Sequence, residues 1–366
     1  MTYNEILEEL RGKLTGENYS ENAEILKAEG QKYARAKNDD GIRAVGTLMM
    51  EIMPAEQVEE IKRLTHIDGE RLDEIYKKIV ALINEKNCVD AKPIAEKLYC
   101  KITEEYKEGE NSKFVSTRNP FEDALLHNLF KPEKTINRTP FDFCTFISAY
   151  AFILVETGST LEAIPVLEKA IEFNPVDCGP KFELAEVYKL LKNKKKLIEV
   201  TKDTLKVASS PVALARCYAN MGYMCADMGE YDDAVVFYTV SSMVAPHPAI
   251  PYELRSIAQK FNKPIVKPEA SQIEKTFAKY ELICAPDPDV IKTASQLSAT
   301  YLAKGDIPNA LNALKILYNL TKDEEIKQLI LKYDPNAQQI NRDGTPMNTE
   351  GGAPNITRTV NENPEA

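Results

Sequence analysis

Chemistry on a substrate needs side chains that hold, move or donate charge, and this sequence places few of them together. Its three histidines, His66, His127 and His247, lie far apart along the chain, each near an expected helix end or turn. An isolated histidine in such a place is more often a surface or capping residue than a proton shuttle. The seven cysteines, at 88, 100, 144, 178, 217, 225 and 284, are odd in number and include no C-x-x-C pair. That set fits neither a disulfide framework nor a zinc site. Cys217 and Cys225, on one expected helix, stand about 12 Å apart by rise alone and cannot bridge each other. The thiols read as small buried hydrophobes in a reducing compartment. Phosphate loops, dinucleotide-binding glycine motifs, zinc-binding H-E-x-x-H and the G-x-S-x-G nucleophile elbow are all missing from the sequence. The expectation is no catalytic residue, no cofactor and no metal, so what the chain does must come from its surface.

The elements that carry that surface are helices. With 366 residues the chain exceeds one ordinary core, which suggests several folding units or one elongated array. Hydrophobic residues make up 43% and charged residues 28%, enough apolar content for a folded core. Few glycines, no tryptophan and abundant Ala, Leu, Glu and Lys favour an all-α class. A net charge of −10 argues against nucleic acid or anionic lipid as the main partner, because affinity there comes from clustered Lys and Arg. The one basic run, Lys192 with Lys194, Lys195 and Lys196, is followed by Glu199 and Asp203 and reads as a solvated helix end. The N-terminal residues are acidic and helix-forming rather than a secretory leader, and the longest apolar run, near residues 147–155, is about half a membrane span. Cytoplasm is the expected compartment.

Self-similarity gives the strongest signal. Ala151, Gly158, Ala163, Leu167, Ala170 and Pro175 recur in spacing as Gly222, Gly229, Ala234, Tyr238, Ser241 and Pro246. They recur again, without the proline, as Ser298, Gly305, Ala310, Leu314 and Leu317. A degraded copy lies between the first two, with Ala185, Tyr188 and Leu197. Two helices pack closely only where small side chains sit at the crossing, which assigns Ala151 to Ala163 and Gly222 to Ala234. The glycines fall between helices, where a left-handed residue ends the first, and the prolines close the second. Ile147, Tyr150, Leu154, Ile164, Leu167 and Ile171 recur at the helix period.

At these residues the chain resembles the tetratricopeptide repeat family, whose unit is a helix-turn-helix with small residues at the crossings and a closing proline. Residues 144–177 and 215–248 match well, 291–324 fairly and 178–211 poorly, the last placing Thr201 and Thr204 where a buried residue belongs. The resemblance implies a right-handed superhelical array of antiparallel helix pairs, a TPR-like α-solenoid, lined on its concave face by the first helix of each pair. Ser148, Phe152 and Glu156, then Phe182, Glu186 and Lys189, then Arg216, Asn220, Tyr223 and Asp227 would face a protein or peptide partner there. Phe152, Phe182 and Tyr223 form an expected aromatic ladder flanked by Arg216 and Lys189, the alternative being that these rings are core. Family members that hold chaperone C-termini use Lys and Asn where this chain begins with Ser148 and Phe152, or Phe182 and Glu186, which argues against that ligand.

Around the repeats, residues 1–107 read as an N-terminal helical region with an eroded repeat over 72–106, broken near Gly16, Asp39-Asp40-Gly41, Pro54 and Asp68-Gly69. Residues 108–140 read as a connector ordered by its neighbours, with one short helix whose start, Asn119-Pro120-Phe121-Glu122, carries a cap, a first-turn proline and a capping-box glutamate. Residues 141–248 hold the repeats, 249–290 off-register helices that stand either beside or over the groove, and 291–334 the last repeat. Residues 335–366 read as a disordered tail. The expected function is a scaffold or adaptor for a protein partner. Its rivals are an enzyme whose chemistry lies in the N-terminal region and a self-assembling structural protein, since solenoid ends leave apolar surface open.

Overall fold

The computed structural model describes residues 2–15, 18–36 and 38–339, so the expected break at Gly16 and the tail beyond Gln339 lie outside the described residues. Eighteen α-helices and two small two-stranded sheets are found among the described residues. The chain forms two compact units that divide between Ile75 and Tyr76.

The first unit contains α1 (Tyr3–Lys13), α2 (Tyr19–Arg35), α3 (Asp39–Ile52) and α4 (Ala55–Thr65). Both α1 and α2 pack on α3. Their core is Ile6 with Leu10 and Ala44 with Leu48, each pair one helical turn apart, together with Leu26. Asn18 and Asn38 cap α2 and α3 by accepting from Ser20 N and Gly41 N. After α4 a two-residue hairpin turns at Asp68-Gly69, both left-handed, joining β1 (His66–Ile67) to β2 (Glu70–Arg71). The sequence marked that place only as a helix break. α5 (Leu72–Asn84) carries the chain across the boundary between the units.

In the second unit α6 (Cys88–Glu105) buries Ala91, Ala95, Leu98 and Ile102 and packs on α8. The connector supplies β3 (Ser112–Val115), α7 (Pro120–Phe130) and β4 (Thr135–Arg138), with β3 and β4 paired in parallel. Helix pairs follow: α8 (Phe143–Glu156) with α9 (Ala163–Phe173), α10 (Cys178–Leu190) with α11 (Lys194–Leu205), and α12 (Pro211–Met228) with α13 (Tyr231–Val244). Ala151, Ala163, Gly222 and Ala234 are buried at the crossings. Gly158 and Gly229 turn at φ of 83° and 86°, the left-handed region where any Cβ is strained. In the degraded pair a lysine, Lys192 at φ 52°, does this work instead. That pair also buries two hydroxyls: Thr204 donates to Val200 O, while Thr201 Oγ1 finds no partner.

Helices α14 (Ala249–Phe261) and α15 (Ala270–Lys279) pack against α13, with Phe277 wedged edge-on against Tyr218 and tilted against Phe237. α16 (Pro288–Ala303) pairs with α17 (Ile307–Thr321), burying Ser298 and Ala310, and α18 (Glu324–Tyr333) follows. A short 3-10 turn over Pro335–Gln339 occupies the start of the expected tail. The final pair packs on α7 of the connector, where Phe121, Leu125 and Leu126 share a core with Val290, Ala294 and Leu317 and Asn128 donates to Thr293 at 2.8 Å. Nothing in the sequence pattern pairs α7 with α16.

A partly buried charge network ties the connector to the repeats. Glu122 accepts from Arg118 N at 2.9 Å and from Arg118 Nη2 at 2.8 Å, and Asn174 Nδ2 donates to it at 2.8 Å. The expected capping-box carboxylate thus reaches one residue further back than the cap itself. Arg118 also pairs with Asp177 at 3.1 Å, the residue whose carboxylate caps α10 by accepting from Gly179 N. Burial raises Asp142, the cap of α8, above the usual carboxylate range, although Thr145 N and Oγ1 donate to it.

Lys181, one turn into α10, is only 7% exposed and forms no ion pair among the described residues. Burial holds its amine below the ordinary lysine range. The folded chain therefore binds fewer protons there than the unfolded chain, so stability climbs as pH rises towards the unfolded value of about 10.4 and levels off above it. Lys181→Met is expected to stabilise the fold by roughly 1 kcal/mol at pH 7, and urea midpoints of the two proteins should draw together by pH 10.5. A gap that stays constant across that range would show that the ammonium carries no burial cost.

Candidate functional site

Helices α8, α10 and α12 are the first members of their pairs, and α10 links to both neighbours, by packing on α8 and through side chains that reach α12. On α8, Ser148 is half-buried and donates to Cys144 O of its own helix at 2.7 Å. Phe152 is half-buried and Glu156 is exposed. On α10, Phe182 is 6% exposed, while Glu186 and Lys189 are half-buried and paired at 2.8 Å.

α12 supplies the longest row. Its Arg216 is exposed, with the guanidinium 4.4 Å above the centre of the Phe182 ring. One turn on, Asn220 is 2% exposed and its side-chain Nδ2 has no acceptor. Tyr223 is half-buried, with the Lys189 ammonium 5.3 Å from its ring centre. Burial raises the Tyr223 phenol above its ordinary range, and Asp227 and Glu186 nearby add to the effect. Asp227, exposed at the helix end, is held below the usual carboxylate range by the Lys194 ammonium at 2.8 Å.

No two of the three expected ladder rings stack on each other among the described residues. Phe182 sits in the core with Arg216 as its roof, and Phe152 and Tyr223 present part of their surface on either side. Between α8 and α10 a small gap of about 10 Å³, room for about one water, is lined by Ala151, Phe152, Val155, Leu167, Val187 and two carboxylates, Glu183 and Glu186. Glu183 was not among the residues read from the sequence, although it lies three positions before Glu186 and so shares a helix face with it. Arg216 Nη2 stands 3.7 Å from Glu183 and 3.8 Å from Glu186, beyond hydrogen-bond reach of either.

The histidines serve their own helix ends. His66 Nδ1 bonds Thr65 Oγ1 at 2.9 Å, His127 Nδ1 donates to Asp123 O at 2.7 Å, and His247 Nδ1 accepts from Ala249 N at 3.2 Å. Among the described residues no cluster of three potential metal ligands occurs, and no helix is long and apolar enough to cross a membrane.

Helix pairs in which α8, α10 and α12 recur with buried small residues at the crossings and left-handed turns between the partners define the architecture. The fold is a tetratricopeptide-like α-solenoid. No protein-family model matches the chain, and no curated protein matches it significantly. Among solved structures, the chain is similar to a tetratricopeptide repeat protein from Parabacteroides merdae, at 13% identity over 72% of this chain and 99% of that one, with a TM-score of 0.30. It is also similar to a chain of the APC/C hetero-tetramer Cut9-Hcn1, at 12% identity over 92% of this chain and 61% of that one, again with a TM-score of 0.30. The tetratricopeptide-like description rests on this chain's own repeat geometry.

Proposed function

We propose that the chain is a protein-interaction scaffold that holds an extended segment of a partner against α8, α10 and α12. The observation that carries this reading is Asn220, an amide donor buried to 2% exposure with nothing to donate to. A buried donor without a partner costs about 1–3 kcal/mol, and a peptide carbonyl relieves it when binding opens the side chains packed over it. Half-buried Tyr223 and Phe152 flank that row and offer rigid apolar area to side chains of the same segment. The contacts that fix this face, such as Lys189 with Glu186 and Lys194 with Asp227, are side-chain pairs that can be exchanged for contacts with a ligand at small cost.

The test is a photo-crosslinking amino acid placed at Tyr223 in the native cell, with the same probe at Glu168 of α9 as the control. Glu168 is exposed on a second helix of a pair. A discrete crosslinked protein from position 223, lost when Asn220→Ala is added, supports the reading. Equal labelling from both positions, or an Asn220→Ala variant that crosslinks as before, removes it.

A further inference from the structure

We infer that the tip of the α10–α11 hairpin, residues 190–196, is a second docking point, for an acidic segment of a partner protein that also carries apolar side chains. The tip lies at the end of α10, outside the row shared by α8, α10 and α12, and its assignment stands independently of the groove reading. Leu190 and Leu191 are 54% and 37% exposed. Lys192, Lys194, Lys195 and Lys196 follow them, with no acid in between. Lys194 and Lys196 hold Asp227 and Glu199 at 2.8 and 2.9 Å through exposed side chains, pairs that exchange for a partner's carboxylates at small cost. Lys192 and Lys195 are exposed and form no ion pair among the described residues.

This turn breaks two local rules that the other repeat turns keep. Where they place Gly158, Gly229 and Gly305, it bends left-handed through Lys192 at φ 52°, a conformation that strains any Cβ. The helix that follows opens on Lys194, Lys195 and Lys196, against the positive end of its own dipole, whereas α9, α13 and α17 open without a cation. No ion pair in the described fold offsets these departures at Lys192 and Lys195, and the carboxylates of a partner do. Leu190 and Leu191 beside them offer apolar contact to the same segment. The partner is a narrow segment rather than an anionic membrane. A flat anionic surface also meets Glu156 and Glu162 in the preceding turn and Glu230 and Asp232 in the following one, all exposed.

The experiment titrates the full chain into fluorescein-labelled nonapeptide pools and reads fluorescence anisotropy. One pool is randomised over Asp, Glu, Leu and Phe, a second over Asp, Glu, Ser and Gly, and a third over Lys, Arg, Leu and Phe. The first should bind more tightly than the second and lose most of its affinity at high salt. Lys192→Gly with Lys195→Glu should weaken the first pool about tenfold, since one cation is removed and another reversed. The same double variant should raise the chain's own thermal midpoint, because both changes restore the local rules. Loss of binding by a more stable protein is not structural damage. Leu190→Ser should weaken the first pool a few-fold and leave the second as it was. The third pool reports the general pull of an acidic chain on cations and should lose no affinity in the double variant. First-pool binding that the double variant retains overturns the assignment, and if Asn220→Ala abolishes that binding, the acidic segment lies in the groove instead. Sedimentation with phosphatidylserine vesicles that the double variant loses, unmatched by binding of any pool, would give the tip to a membrane and overturn the protein partner.

Discussion

Glu122→Ala should lower the stability of the second unit by about 3 kcal/mol, the usual scale for removing one side of a buried ionic network. Glu122 is 8% exposed, and its carboxylate takes hydrogen bonds from the Arg118 backbone, from Nε and Nη2 of its guanidinium and from Asn174 Nδ2. Alanine strands these donors unequally. The Arg118 side chain is 41% exposed and its guanidinium keeps Asp177, so it recovers much of its hydration. Asn174 is fully buried with its Oδ1 already unpartnered, and it keeps only a 3.3 Å bond to Ser116 O. Because the same carboxylate orders the start of α7, the α7–α16 contact should loosen first. Urea unfolding followed by helical circular dichroism gives the total, and limited proteolysis within residues 108–140 reports the local part. Glu122→Gln retains an acceptor for Asn174 and should lose about half as much. A loss under 1 kcal/mol for alanine would mean that the network is solvated and that the connector is held by Phe121, Leu125 and Leu126 alone.

What the sequence made legible was whatever repeats locally. Gly158, Gly229 and Gly305 all turn left-handed, and Ala163, Ala234 and Ala310 all lie fully buried, because a helix pair imposes its demands at fixed offsets along the chain. What stayed hidden depends on distant meetings. The parallel pairing of β3 with β4 needs two four-residue segments, each too short to show a strand period, to meet across a helix. The contact between α7 and α16 joins segments far apart in sequence, and a single amphipathic helix does not name its partner. Side chains on the first helices of the pairs show the same split. The helix period placed Arg216, Asn220 and Tyr223 on one row, but only coordinates could show that Arg216 roofs Phe182 or that Asn220 lacks an acceptor. Glu183 lies outside the row that the repeat resemblance implies, because it lines a gap between two helices, and such a gap has no fixed offset along the chain.

Gly222→Val should cost about 3 kcal/mol or more, and Gly222→Ala at most about 2 kcal/mol, although both enlarge the same buried point. A Cβ built on Gly222 meets the Tyr238 ring at 3.0 Å on two carbons, a few tenths of an ångström too near. Tyr238 has little room to retreat, since it is 2% exposed and its hydroxyl donates to Glu253 at 3.3 Å. For alanine, the strain of overpacking, about 1–3 kcal/mol, is offset by the roughly 1 kcal/mol that alanine gains over glycine in a helix interior. Valine adds two methyl groups to the same gap and brings no propensity gain of that size, so the helices must separate. The third window shows the permitted limit: Ser298 stands at the corresponding place, buried, its hydroxyl turned back to Ser295 O at 2.8 Å. Separation has a consequence on the other side of α12. Asn220 and Tyr223 ride on that helix next to Gly222, so an outward shift displaces them from the α10 side chains they share a face with. Gly222→Val should therefore lose peptide binding at temperatures well below its unfolding midpoint, whereas Gly222→Ala keeps it. If valine weakens the fold but leaves affinity intact, the crossing sets stability only, and the depth of the groove must be fixed by the contacts of Arg216 and Lys189 instead.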